Sequence, residues 1–247
     1  MRDVAGKSRK DLGHAPPTAA ELRRALRACA NAADAALLQK YFQTGPGGYA
    51  EGDRFLGVRV PAVRSVARAN RNTSLSVACT LLRSRWHEER MLALLLMVDR
   101  YRRGDVVQKQ AVFDVYLANL AHVDNWDLVD SSAPGIVGAH LAPHDTALLD
   151  RLAQSGSVWS RRVAMLATLD HIKRDAFTSA FHVAGILLHD PHHLIHKAVG
   201  WMLREIGARD RRAEVVFLDA HWHTMPRTAV RYAIEHFTPA ARRRYAH

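Results

Sequence analysis

The feature that most constrains this chain is an internal repeat. The segments HEERMLALLLMV, NWDLVDSSAPGIV, VWSRRVAMLATL, LIHKAVGWMLREI and RTAVRYAIEHF align with Arg90, Asp127, Arg162, Lys197 and Arg231 in register. These positions lie 37, 35, 35 and 34 residues apart, and each opens an apolar run. A period in the mid-thirties holds two helices per unit, the signature of an α-solenoid. One helix pair cannot bury its apolar face alone, so the units must stack. The second helix of each pair usually lines the concave face. The repeated polar position then predicts a mainly basic ladder along a concave groove, with Arg90, Arg162, Lys197 and Arg231 as candidate contacts for a phosphate backbone.

The rest of the pattern is helical too. Leu22, Leu26 and Cys29 recur at steps of four and three, and Met91 to Val98 is apolar nearly all round, as in a buried helix. Alternating strand patterns are absent, so the fold class is all-α, with about a dozen helices of roughly 10–16 residues. Ser157, Asp190 and Thr224 stand where helices should start. The segment 43–57, QTGPGGYAEGDRFLG, holds five glycines and a proline, and so must be an ordered loop or a flap between the second and third helices. Residues 1–17 read as a disordered basic tail and 18–247 as a single HEAT-like repeat domain. At 247 residues and 48% hydrophobic, the chain can bury one substantial core. Two cysteines, Cys29 and Cys79, exclude a disulfide scaffold. No apolar run reaches the roughly 18 residues of a membrane span, and a soluble, cytoplasmic protein is expected.

Charge narrows the partner. The chain carries 35 Lys+Arg against 24 Asp+Glu, a net +11. Base composition explains why 29 of those cations are Arg, but not the excess of base over acid. Such a surplus points to a polyanion, usually nucleic acid, and a DNA binder of this kind would be nucleoid-associated.

In HVDNWDLVDSSAP, Trp126 and Asp130 are four apart and share a helix face, whereas Asp127 is placed to serve the first turn. Two readings stand: both aspartates support a helix start with Trp126 in the core, or Asp130 beside an aromatic wall steadies a cationic substrate. Trp159 precedes Arg161 and Arg162, which point about 100° apart, so only one need face the groove. Trp201 follows Lys197 by four, on the same face as the ladder. His189, His192, His193 and His196 in HDPHHLIH have partial ligand spacing, but without an HExxH or a nearby cysteine no metal site is read there. GxSxG, P-loop and strand-linked GxGxxG motifs are missing, which leaves carboxylate, arginine and aromatic rings for any chemistry.

Taken together, YFQTGPGGYAEGDRFLGVRVP, HVDNWDLVDSSAP, VWSRRVAMLA, HKAVGWMLRE and MPRTAVRYAIE resemble the DNA alkylation repair family of AlkD-like glycosylases, from about Leu37 to Phe237. The resemblance implies HEAT-like repeats and excision of positively charged N3- and N7-alkylated purines from double-stranded DNA. It implies hydrolysis of the N-glycosidic bond in base excision repair, without base flipping, metal or cofactor; a solenoid that wraps its ligand can work as a monomer. It places the catalytic aspartate at Asp130, the lesion-side tryptophan at Trp126, a second site tryptophan at Trp201, a phosphate-gripping arginine at Arg162 and, more loosely, a tyrosine at Tyr41. The Gly-rich insert between Tyr41 and Phe55 is longer than in the best-known members, and Asn125 replaces an aromatic found in some relatives. The competing expectation is a non-catalytic HEAT-repeat protein that binds damaged or branched DNA. A protein-binding scaffold is the third reading, disfavoured by the basic ladder.

Overall fold

The computed structural model describes residues 15–246. Of the expected tail at 1–17, only 15–17 fall among the described residues, and they carry no regular structure. Fourteen α-helices follow: α1 (Ala19–Arg27), α2 (Ala32–Tyr41), α3 (Val60–Ala69), α4 (Leu75–Leu82), α5 (His87–Arg103), α6 (Val106–Ala118) and α7 (Trp126–Ala133). The second half holds α8 (Ala147–Ala153), α9 (Val158–Lys173), α10 (Thr178–Ile186), α11 (His193–Arg209), α12 (Arg211–His221), α13 (Arg227–Ala233) and α14 (Pro239–Arg243). No strand occurs among the described residues.

The repeat is realised as two layers. Helices α3, α5, α7, α9, α11 and α13 pack on one another in sequence, while α4, α8, α10 and α12 each lean on a neighbouring member of that row. The five aligned segments begin α5, α7, α9, α11 and α13, and each aligned polar residue falls in the first two turns. The fold is therefore an all-α solenoid. Its interior is one continuous apolar cluster running from Leu22 and Leu26 of α1 to Phe237 and Tyr245. Close stacking depends on small residues: a Cβ on Gly200 of α11 would sit 2.3 Å from the Ala229 carbonyl oxygen of α13.

Local signals set most helix starts. Ser157 accepts from the Ser160 amide and caps α9, as expected. Asp190 and Thr224 do not cap: His192 caps α11 and Pro226 precedes α13. Asp190 instead accepts from the His192 amide and pairs with Arg161, because the chain needs two more residues to turn into α11. Pro134 lacks an amide hydrogen, and α7 passes at that point into a π-helical turn, Pro134–Gly138.

The segment between α2 and α3 is an ordered loop, not an open flap. Phe42, Ala50 and Phe55 form a second apolar cluster, against which Tyr49 and Trp126 pack. The buried Glu88 carboxylate of α5 accepts the amides of Leu56, Gly57 and Val58 at 2.8, 2.8 and 3.0 Å. Gly57 has φ of +80°, and a Cβ there would overlap the Asn31 carbonyl at 1.9 Å, so only glycine fits.

Candidate active site

The N-terminal turns of α5, α7 and α9, the Gly-rich loop and one face of α11 converge. Trp126 opens α7, and Asn125 caps it by accepting the Trp126 amide at 2.8 Å. Asn125 is fully buried and its amide also reaches Asp53 at 3.4 Å, so the polar residue there serves the loop and the helix start. One turn on, Asp130 meets Arg162 of α9 in a two-pronged pair: Nε to Oδ1 and Nη2 to Oδ2, both 2.8 Å. Arg162 Nη1 donates to the Leu194 carbonyl at 2.6 Å. Burial pushes the Asp130 carboxyl above its ordinary range, while the Arg162 charge pulls the other way. The side chain keeps 16% of its surface open.

That opening faces a cavity of about 590 Å³ lined by Asp130, Ser131, Trp126, Trp201, Phe42 and His87, with Arg64 and Pro61 of α3 opposite. Trp201 enters from α11 and is oriented by its indole N–H donating to Glu205 at 2.8 Å. Trp126 is fixed on several sides. Phe42 stacks on it with centroids 5.2 Å apart, Tyr41 stands edge-on at 6.1 Å, and its indole N–H donates to the Tyr49 hydroxyl at 3.2 Å. Aromatic pairs of this kind contribute about 0.5–1.5 kcal/mol each beyond burial. Trp126, Trp201 and Asp130 thus line one cavity, with Tyr41 beside Trp126, exposed at 63%.

The expected ladder does not line the groove evenly. Arg90 is 4% exposed and spends its guanidinium on Asp53, Asp124 and the Ser84 carbonyl. Arg162 is equally buried, and its charge is matched by Asp130, so in this arrangement it orients the carboxylate and is not open to phosphate. The reason is the burial of these helix starts, where a cation needs an acid partner from a neighbouring segment. Lys197 is partly buried on α11. Arg231 is exposed but lines a separate cavity near the C-terminal end, with Arg227 and Arg242. The histidine run is locally engaged: His196 donates to the Asp190 carbonyl and His192 accepts the Leu194 amide. Among the described residues no three His, Cys, Asp or Glu side chains gather as a metal site.

Sequence reasoning missed Asp53, His87 and Tyr49. His87 Nδ1 lies 2.8 Å from Asp53 Oδ2, and Nε2 lies 2.8 Å from Asp127 Oδ2. The available signal was HEER, four polar residues opening a helix that is apolar all round. With no solvent face to occupy, all four are buried and must find partners inside.

Fold and site together define an all-α solenoid with a carboxylate–arginine pair at a cavity lined by two tryptophans. The family model described as DNA alkylation repair enzyme matches residues 22–237, and the chain belongs to that family. Among solved structures, a protein described as a predicted DNA alkylation repair enzyme from Enterococcus faecalis is similar in fold. It has a TM-score of 0.64 and 17% identity, over 85% of this chain and 97% of that one. No curated protein matches the chain. Among the described residues no helix is long and apolar enough to cross a membrane.

Proposed function

We propose that the protein is a DNA glycosylase that hydrolyses the N-glycosidic bond of positively charged N3- and N7-alkylated purines in double-stranded DNA, as a first step of base excision repair. One observation carries this reading: an oriented, partly open carboxylate, Asp130, shares a cavity with Trp126 and Trp201. The alkylated base is already cationic and leaves readily. Water adds to C1′, the C1′–N9 bond breaks, and its electron pair neutralises the departing purine. The Asp130 carboxylate offsets positive charge growing on the sugar and accepts the proton released by the water. Its upward-shifted pKa suits a proton acceptor. Trp126 and Trp201 face the cationic sugar, each cation–π contact contributing about 0.5–2 kcal/mol. This geometry acts on the sugar and needs no extruded base, unlike enzymes that do chemistry on the base itself. The monomer would act on chromosomal DNA in the cytoplasm, associated with the nucleoid.

Arg64 and Arg68, exposed on α3 and without ion-pair partners among the described residues, take over the phosphate-binding part given to Arg90 by the ladder. Arg64 borders both the site cavity and a neighbouring groove lined by Arg68, Arg71 and Arg102.

The test is release of 7-methylguanine from a defined duplex, wild type beside Asp130→Asn, with chelator present. Release by the wild type alone supports the reading. Release by both variants removes Asp130 from the chemistry, and loss with chelator reopens the metal question. A second reading has one observation in its favour: Arg162 neutralises Asp130, which relieves the repulsion a carboxylate would exert on phosphates. A non-catalytic binder of damaged or branched DNA then retains tight duplex binding while neither variant releases base.

A further inference from the structure

Helix α7 is held from outside by the Gly-rich loop, and the hold centres on His87. The loop supplies Asp53 to one ring nitrogen, and α7 supplies Asp127 to the other, both at 2.8 Å. Ionised carboxylates only accept hydrogen bonds, and a neutral imidazole has one N–H, so both bonds require the imidazolium. Burial works against that charge. The hydrogen bonds and charges of Asp127 and Asp53 outweigh it and push the His87 pKa up to about 9. Arg90, from the same helix, pairs with the other oxygen of Asp53 at 2.9 Å. The neighbouring Glu88 is occupied by loop amides. Phe55 of the loop stacks on the imidazole at 4.4 Å, and Phe42 covers it at 5.2 Å.

The same loop fixes Trp126, through the Phe42 stack and the Tyr49 hydroxyl. Tyr49 reaches further, its ring edge-on to Trp159 of α9 at 6.2 Å and His193 of α11 at 6.4 Å. We propose that His87 is a positioning residue. As a cation bonded on both sides, it clamps the Gly-rich loop to the start of α7, so that Trp126 and Tyr49 stand as one rigid wall beside Asp130. The consequence for catalysis rests on the glycosylase reading; the clamp itself does not.

Deprotonation removes one of the two N–H groups and sets a ring lone pair against a carboxylate oxygen. The clamp therefore holds at neutral pH and weakens as the pH rises through about 9.

The test compares wild type with His87→Gln, which keeps the polarity but cannot carry the charge and, with both N–H donors on one nitrogen, cannot donate to carboxylates on opposite sides. Hydrogen exchange of the 43–57 amides, read without DNA, is expected to lose protection by about tenfold or more in the variant, while far-ultraviolet circular dichroism stays unchanged. In base release, kcat is expected to fall with KM for the duplex retained, and an alkaline limb near pH 9 in the wild type is expected to be absent from the variant. Unchanged loop protection in a folded variant overturns the clamp. Should His87→Gln not fold, loop exchange in the wild type from pH 8 to 10, corrected for intrinsic rates, decides: loosening through about pH 9 supports the clamp, and constant protection overturns it. Loosening of the loop in a protein that releases no base at any pH leaves the clamp standing and removes the glycosylase.

Discussion

At Arg162, the guanidinium that holds Asp130 also sets the pH range over which that carboxylate is ionised. Burial raises the Asp130 pKa and Arg162 lowers it, so removing the arginine leaves burial unopposed. On the proposed glycosylase reading, Arg162→Gln is expected to move the acid limb of kcat/KM upward, because a proton acceptor must be ionised to work. A phosphate contact would behave differently, lowering the salt slope of duplex binding by about 0.9 with the limb unmoved. The pH–rate profile and a salt titration therefore separate the two roles. The shared face of Trp126 and Asp130 was legible from their spacing of four. The partner of Asp130 was not, since Arg162 lies 32 residues away and finds it only when repeats stack.

Helix by helix, the repeat was the most legible part of the chain. The aligned residues open α5, α7, α9, α11 and α13. Their use was less legible, because alignment gives a position along a helix but not the acid a neighbouring segment brings to it. Arg90 meets Asp124 and Asp53, and Arg162 meets Asp130, so at these points the ladder became internal ion pairs between segments. Helix α12 carries another buried acid. Glu214 is fully buried, paired with Arg211 at 2.7 Å, and burial pushes its pKa up to about 7. A carboxyl raised above its ordinary value of 4.5 favours the folded state below that value, and the contribution is lost as pH rises from there through about 7. Glu214→Gln is expected to flatten the decline of Tm between pH 5 and 8 and to raise Tm at pH 8, by about 2–4 °C for each kcal/mol recovered. Thermal melts at the two pH values check this; a variant less stable at pH 8 would mean that the Arg211 pair outweighs the cost of burial.

Over the whole molecule, the net charge of +11 suggests a polyanion partner but not where it would bind. Many arginines are absorbed by aspartates and glutamates, Arg23 by Glu89 and Arg59 by Asp34 among them. Those left open on α3 next to the site carry the expectation. The double substitution Arg64→Gln with Arg68→Gln should reduce the slope of log affinity against log salt by about 1.8, while Arg231→Gln, at the far cavity, should change it less. Filter binding over a salt series measures both. The loop had been legible only as irregular, since glycine content forbids helix without saying what the loop packs on. What it packs on has a statistical-mechanical consequence. In a plain repeat array each unit couples to its nearest neighbours, so units can be added or lost along the row and the ends fray independently. The segment from Phe42 to Val58 touches α5, α7, α9 and α11 together, adding couplings that skip over neighbours. The array is thereby divided into a cross-braced portion, in which a local opening must break contacts to several helices at once, and the stretch α12 to α14, which those contacts do not reach and which follows the nearest-neighbour rule.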